Sequence, residues 1–451
     1  MSIIDDILSQ TNMEEIRRET EENYREYVNP FALRMFKNAS LDIIEGKREG
    51  ASVWDISGQK YIDCVTGAGI FNVGRHNTEI VEGLKKALDT YDMGGWISIV
   101  RERGLLAKKL AQITPGDLKY SLFCCGGGEA IEVAIKLARG HTDKTEIICM
   151  ENGYHGVTGF ALPATGRDVY KQPFAPLTPG YRHVRYNDIG AVEEAITEET
   201  AAVLLEPIQG EGGIIPADDR YLRQLRELCT ENEILLVFDE VQTGFGRTGK
   251  MFCAEHSGVA PDIMVLAKSL SGGLYPLSCA VFTEEIAEFL MTHPFIIINS
   301  FGGTSLACLV ALATIEYIEK NDLPGHAARM GDRFKKGLST LKDKYPNLVL
   351  DVRGRGLMLG MEFPEDSIGP RMAYQLKQNG VISIYTFNNP RIIRIMPTLV
   401  ITEQEVDFVL NAFDRSLAEI AEQEKNNSPG KTQQGDLPGT EKTRRRPGKT
   451  I

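Results

Sequence analysis

Residues 234–249 read ILLVFDEVQTGFGRTG. Five apolar residues run into Asp239 and Glu240 without polar alternation, the pattern of a strand buried on both faces. Asp239 falls where that strand leaves its sheet. A carboxylate in that place meets a cation, and on its own it fits a helix cap or loop ion pair as well as a ligand partner. Working outward, similar runs occur at YSLFCC (120–125), EIICME (146–151), AAVLLEP (201–207), DIMVLAK (262–268) and CAVFT (279–283). Helix-length stretches such as RYLRQLRELCTEN (220–232) separate most of them. Strands alternating with helices predict an α/β, doubly wound, mostly parallel sheet, whose ligands bind at the carboxyl ends of the strands.

Two more features sit at such ends. Lys268 closes DIMVLAK and precedes SLSGG. Burying a lysine there would depress its pKa and yield a nucleophilic amine able to form a Schiff base, although a lysine can also snorkel to solvent. The run FCCGGGEAIEVAIKLARG (123–140) ends a strand in three glycines and opens a helix at once. Its Ile131, Ala134, Ile135 and Ala138 face inward, and Glu129, Glu132, Lys136 and Arg139 make a polar face. Free amides at a helix start bind phosphate, but a glycine run alone could be only a tight turn.

The totals narrow the field. The chain has 451 residues, 42% apolar and 25% charged, which suits a soluble protein with one large and one smaller domain. A net charge of −12 disfavours nucleic-acid binding. The eight cysteines form no CxxC pair, so reduced and mostly buried thiols are expected, and no metal site. The acidic, amphipathic start is unlike a signal peptide, and no apolar run reaches membrane-spanning length, so a cytoplasmic location is the expectation. Two patterns mislead. GFGRTGK (244–250) approaches a P-loop, but Met251 stands where Ser or Thr is needed. Gly354, Gly356 and Gly360 have the wrong spacing for a dinucleotide fingerprint.

Four segments are expected. Residues 1–55 read as a helix, irregular chain and the strand-like SVWDI. Residues 56–324 form the large domain, with a turn at Asp55, Gly58 and Gln59. Residues 325–424 form a smaller α/β domain that includes LVLDVRG, LMLGMEF and RIIRIMP and ends in a helix capped by Thr402 and Glu405. Residues 425–451 are polar, carry Arg444–Arg446, and are expected to be disordered.

The motifs VWDISGQKYIDCVTG, GGGEAIEVAIKLAR, GYHG, EPIQGEGG, FDEVQTGFGRTG, DIMVLAKSLSGG, SFGGTSLA and RGLMLGMEF follow one another in the order seen in class III aminotransferases. The chain resembles that family of fold-type-I pyridoxal-phosphate enzymes from about residue 30 to 420, and its pattern is nearest the putrescine and ω-amino-acid branch. The resemblance implies a seven-stranded sheet and a small domain built from both chain ends. It also implies pyridoxal 5′-phosphate as cofactor. Lys268 matches the lysine that bonds the cofactor, and Asp239 the acid beside its ring nitrogen. Gln242 matches the residue near the ring hydroxyl, while Val241 and Tyr154 match its two faces and Gly127 and Gly128 its phosphate loop. Ser300 matches a threonine that reaches the phosphate from a neighbouring subunit, which implies a homodimer with shared sites or a tetramer built from two such dimers. Arg394 matches the arginine that grips a substrate carboxylate, Glu211 its switching partner, and Glu206 a residue that orders the site. Ile70, Phe71 and Trp96 are candidates for the pocket wall.

The departures are informative. The usual Ser-Gly-Thr of the phosphate loop is Gly126-Gly127-Gly128, and the usual Gly-Gly-Asn-Pro ends in Thr304-Ser305. The arginine that often follows HG, and clamps a distal carboxylate, is Val157. The resemblance therefore implies a ping-pong transfer from an ω-amine or ω-amino acid to 2-oxoglutarate or pyruvate. A racemase, aminomutase or decarboxylase would share the motifs, since the cofactor does the hard chemistry. A non-catalytic scaffold is the remote alternative.

Overall fold

The computed structural model describes residues 2–94 and 98–427. Near the start, β1 (Glu45–Glu49), β2 (Ser52–Asp55) and β3 (Lys60–Asp63) form an antiparallel ladder. The Asp55 carboxylate and carbonyl close the turn between β2 and β3, bonding Ser57, Gly58 and Gln59.

The large sheet holds β4 (Tyr120–Cys124), β5 (Glu146–Met150), β6 (Tyr181–Val184) and β7 (Thr200–Leu205). After the short hairpin of β8 (Ile208–Gln209) and β9 (Ile215–Pro216), it continues with β10 (Leu235–Asp239), β11 (Ile263–Leu266) and β12 (Ser278–Phe282). The order across it is β4-β12-β11-β10-β7-β5-β6. Only β12 runs against its neighbours. Strands β7, β11 and β12 are buried throughout, as unalternating apolar runs require. Six of the seven strands coincide with the apolar runs. The seventh, β6, reads Tyr-Arg-His-Val and pairs with β5 alone, so an edge position lets polar residues hide it from an apolar scan.

The helix Gly127–Thr142 buries Ile131, Ala134, Ile135 and Ala138, as its periodicity predicts, and also Ala130, Val133 and Leu137. Ser305–Lys320, a helix with an apolar face so wide that it carries little periodic signal, packs against the helices Thr78–Leu88 and Arg101–Ile113 and the turn after Lys268.

The C-terminal part supplies β13 (Asp351–Arg355), β14 (Met358–Glu362), β15 (Val381–Ile382), β16 (Tyr385–Thr386) and β17 (Asn389–Ile395). A second sheet has the order β13-β14-β17-β16, while β15 joins the N-terminal ladder, pairing parallel with β3. Gly354, Gly356 and Gly360 thus belong to the β13–β14 hairpin and its turn, not to a nucleotide loop. The final helix, Glu403–Asn427, opens with the expected reciprocal bonds between Thr402 and Glu405.

The N-terminal helix differs from expectation. It is broken into Ile3–Ser9, Met13–Asn23 and Ala32–Asn38. Asn12 accepts from the Glu15 amide and so starts a new helix after the polar Ser9–Thr11 stretch, and Pro30 interrupts the chain again. The tail beyond residue 427, with Arg444–Arg446, lies outside the described residues, as does Trp96. No described helix is long and apolar enough to cross a membrane.

Candidate active site

Five strands that run in one direction end around a single cavity of about 580 Å³. Beyond β4 comes the glycine loop, beyond β5 come Tyr154 and His155, and beyond β7 comes Glu206. Strand β10 ends in Asp239, and Lys268 follows β11; all of these residues line the cavity. The parallel register sets Asp239 opposite Val265, so the acid and the lysine emerge from adjacent strands.

Lys268 adopts φ of +48°, a left-handed conformation that costs a non-glycine residue energy and is held here by the turn Lys268–Ser271. Burial draws its ammonium pKa below the ordinary value, and the charges of Glu211 and Asp239 only partly offset this. The result is an amine more readily uncharged than a surface lysine.

Asp239 is fixed by two donors. Its Oδ1 accepts from the Val241 amide at 3.0 Å, and its Oδ2 lies 2.8 Å from His155 Nδ1. Burial alone would lower the His155 pKa, but the bond to Asp239 and its charge outweigh that and raise it. The loop carrying Val241 and Gln242 is anchored beneath by buried Glu240, which accepts from Thr243 Oγ1 and the amides of Cys253 and Ala254. Gln242 lines the cavity, and its Oε1 is buried with no partner among the described residues.

Glu206 orders the opposite wall. One carboxylate oxygen accepts from the Tyr154 amide and the other from the Gly210 amide, each at 2.9 Å. Burial pushes its pKa up to about 7, against the pull of His155. Glu211 also lines the cavity, and its Oε2 binds Arg394 Nη2 at 2.6 Å. Burial raises the Glu211 pKa, but the Arg394 charge and hydrogen bond prevail and leave it lowered. Arg394 itself is buried behind Glu211 and does not line the cavity.

The remaining expected residues divide. Val241, Tyr154, Gly127, Gly128 and Ile70 line the cavity. Phe71 does not; its ring packs 4.1 Å from the Arg75 guanidinium. Ser300 is exposed and away from the cavity of its own chain. Its neighbour Asn299 donates to Glu129 Oε2, which also accepts from the Cys125 amide at the start of the glycine loop. His155 is the site residue that sequence reading passes over, because scanning histidines for metal spacing misses a partner 84 residues away. Its adjacency to Tyr154 in GYHG was the available signal.

These groups fit pyridoxal phosphate. A helix start with no side-chain cap at Gly126 offers free amides for a phosphate. A buried, doubly held carboxylate suits a protonated ring nitrogen, the unpaired Gln242 oxygen suits a ring hydroxyl, and Lys268 offers an amine. The P-loop look-alike serves elsewhere. Arg247 is buried, with Nη1 donating to the carbonyls of Leu357 and Pro397 and Nη2 to Asn72.

Comparison with known proteins agrees. The profile described as aminotransferase class-III matches residues 36–417. An uncharacterized aminotransferase of Archaeoglobus fulgidus is 41% identical over 389 residues, covering 86% of this chain and 91% of that protein. The ornithine aminotransferase structure from Toxoplasma gondii, described as having pyridoxal phosphate at partial occupancy, superposes with a TM-score of 0.84. It is 30% identical and covers 94% of this chain and 98% of that one. An (S)-enantioselective omega-transaminase from Thermomicrobium roseum gives 0.83 at 28% identity, covering 91% and 99% respectively. The chain belongs to the class III aminotransferases, pyridoxal-phosphate enzymes of fold type I.

Proposed function

We propose that this aminotransferase takes the terminal amino group of a diamine or ω-amino acid and passes it to 2-oxoglutarate or pyruvate. The observation that carries this reading is the position of Glu211: its carboxylate faces the cavity and covers Arg394. With Glu206 also in the wall and Lys268 the one lysine or arginine of the lining among the described residues, the cavity favours a donor carrying a second positive charge. Val157, exposed at the cavity edge, offers a distal carboxylate no clamp.

When bound, pyridoxal phosphate supplies an electron sink for the charge left as a Cα proton departs. The chain's own groups do the rest. Lys268 Nζ would hold the cofactor and is placed to take the Cα proton of a bound donor and return it. Asp239 would meet the protonated ring nitrogen, and His155 holds Asp239 in orientation. Tyr154 and Val241 would flank the ring, Gln242 would meet its hydroxyl, and Gly127 and Gly128 would receive the phosphate. Arg394, released by Glu211, takes the carboxylate of the keto acid.

We read the enzyme as a cytoplasmic homodimer. Ser300 is exposed and does not line its own cavity, and Phe295, Ile296, Ile298 and Phe301 around it are exposed, an apolar patch of the kind a second subunit covers. The test of donor class is a panel of diamines, ω-amino acids and α-amino acids, each mixed with enzyme alone while loss of the cofactor's visible absorbance is followed. Diamines and ω-amino acids should react first. If only α-amino acids bearing a distal carboxylate react, the reading fails.

A further inference from the structure

The glycine loop lacks the two hydroxyls usual at its positions, yet the structure holds a hydroxyl beside it from another element. Segment 156–158 packs against Gly128 backbone to backbone. Gly156 has φ of +111°, and a Cβ there would stand 2.9 Å from Gly128 Cα, so only glycine permits this approach. The contact delivers Thr158 to the loop: a Cβ built on Gly128 would meet Thr158 Oγ1 at 3.2 Å and Cγ2 at 3.7 Å. The space into which a side chain at position 128 would grow is therefore occupied by the Thr158 hydroxyl. Thr158 lines the same cavity as Gly126, Gly127 and Gly128. Among the described residues its hydroxyl has no hydrogen-bond partner.

We propose that Thr158 is a phosphate-binding residue, supplying from the 156–158 segment a hydroxyl that the loop no longer carries at Gly128. Two features support the reading. The helix start at Gly126 has no side-chain cap, so the loop offers amides without a hydroxyl of its own. The residue is also exposed at the cavity with its hydroxyl bonded to no described protein group, so a phosphate oxygen could replace water there through a charge-assisted bond. The proposal rests on the cofactor occupying this cavity.

The test is equilibrium binding to apoenzyme, titrated separately with pyridoxal phosphate and with pyridoxal, which lacks the phosphate but keeps the aldehyde. T158V keeps the shape and removes the hydroxyl. It should raise the Kd for pyridoxal phosphate about tenfold, the effect of one lost bond to a charged group, and leave that for pyridoxal unchanged. T158S should bind like wild type. The double variant T158A/G128S, which moves the hydroxyl back to the loop, should bind pyridoxal phosphate more tightly than T158A. Should T158V fail to fold, T158S against T158A gives the same comparison. A wild-type Kd for pyridoxal phosphate in T158V, or an equal loss for both ligands, overturns the proposal. Wild-type protein that binds neither ligand overturns the site reading beneath it.

Discussion

His155 Nδ1 lies 2.8 Å from Asp239 Oδ2, with both side chains buried at the cavity wall. The pair holds the Asp239 carboxyl in place where the ring nitrogen would need it. Replacing the histidine removes a hydrogen bond to a charged group, worth roughly 1.5–3 kcal/mol. H155Q should therefore lower kcat/KM roughly 10- to 100-fold, with the donor and acceptor half-reactions affected alike. Stopped-flow rates for each half-reaction check this; an unchanged rate would show that Val241 alone suffices to hold Asp239.

The same pair predicts a pH signature. The folded His155 pKa is raised above its ordinary 6.5. A raised histidine stabilises the fold fully below the unfolded value and loses that contribution as pH rises through the folded one. Melting temperatures of wild-type and H155Q apoprotein should differ most below about pH 6.5 and converge at higher pH. A gap that widens with pH would mean the histidine is held neutral.

Most of the sheet was legible because fully buried strands write themselves as unbroken apolar runs, and Asp239 and Lys268 stood out as charges ending such runs. His155 did not, because its meaning depends on a partner on another strand. Arg394 and its partner Glu211 were both named by the resemblance; the fold adds the 2.6 Å bond between them and the burial of Arg394 behind Glu211. GFGRTGK was legible as a loop, while its purpose was not, since Arg247 is defined by carbonyls at Leu357 and Pro397, more than a hundred residues on.

Arg247 should thus be a keystone between the large sheet's loop and the C-terminal part. Burial draws its pKa down to about 9, so the guanidinium is already held at a cost that its three acceptors offset. R247M would leave two buried carbonyls and Asn72 without that donor. We expect a loss of about 3 kcal/mol, seen as a lower urea midpoint. A midpoint matching wild type would show that water or a shifted neighbour satisfies those groups.

Glu211 and Arg394 should act as a gate that carboxylates open. Burial raises the Glu211 pKa, but Arg394 overcomes this and holds it below the ordinary 4.5. A lowered carboxylate stabilises the fold above the unfolded value and loses that only as pH falls through the folded one. Protonation therefore does not open the pair near neutral pH, and competition by a keto-acid carboxylate must. E211Q weakens the pair without emptying it. The KM for 2-oxoglutarate should fall several-fold and the KM for a diamine should rise, because a cavity carboxylate has gone. Equal changes in both would contradict the gate.

Val157 offers the sharpest test of donor class. It follows Gly156, lines the cavity and is 58% exposed, so a longer side chain can enter without repacking the core. V157R places a guanidinium where a distal carboxylate would arrive, and a bidentate contact of that kind is among the strongest a small ligand can make. The same charge repels the free ammonium of a diamine. The KM for donors bearing a distal carboxylate should fall by about tenfold or more, and the KM for diamines should rise, with kcat moving less than KM because Lys268 and Asp239 are untouched. Should V157R leave both KM values at their wild-type level, donor selection lies elsewhere in the cavity and the reading of Val157 as an open wall is wrong.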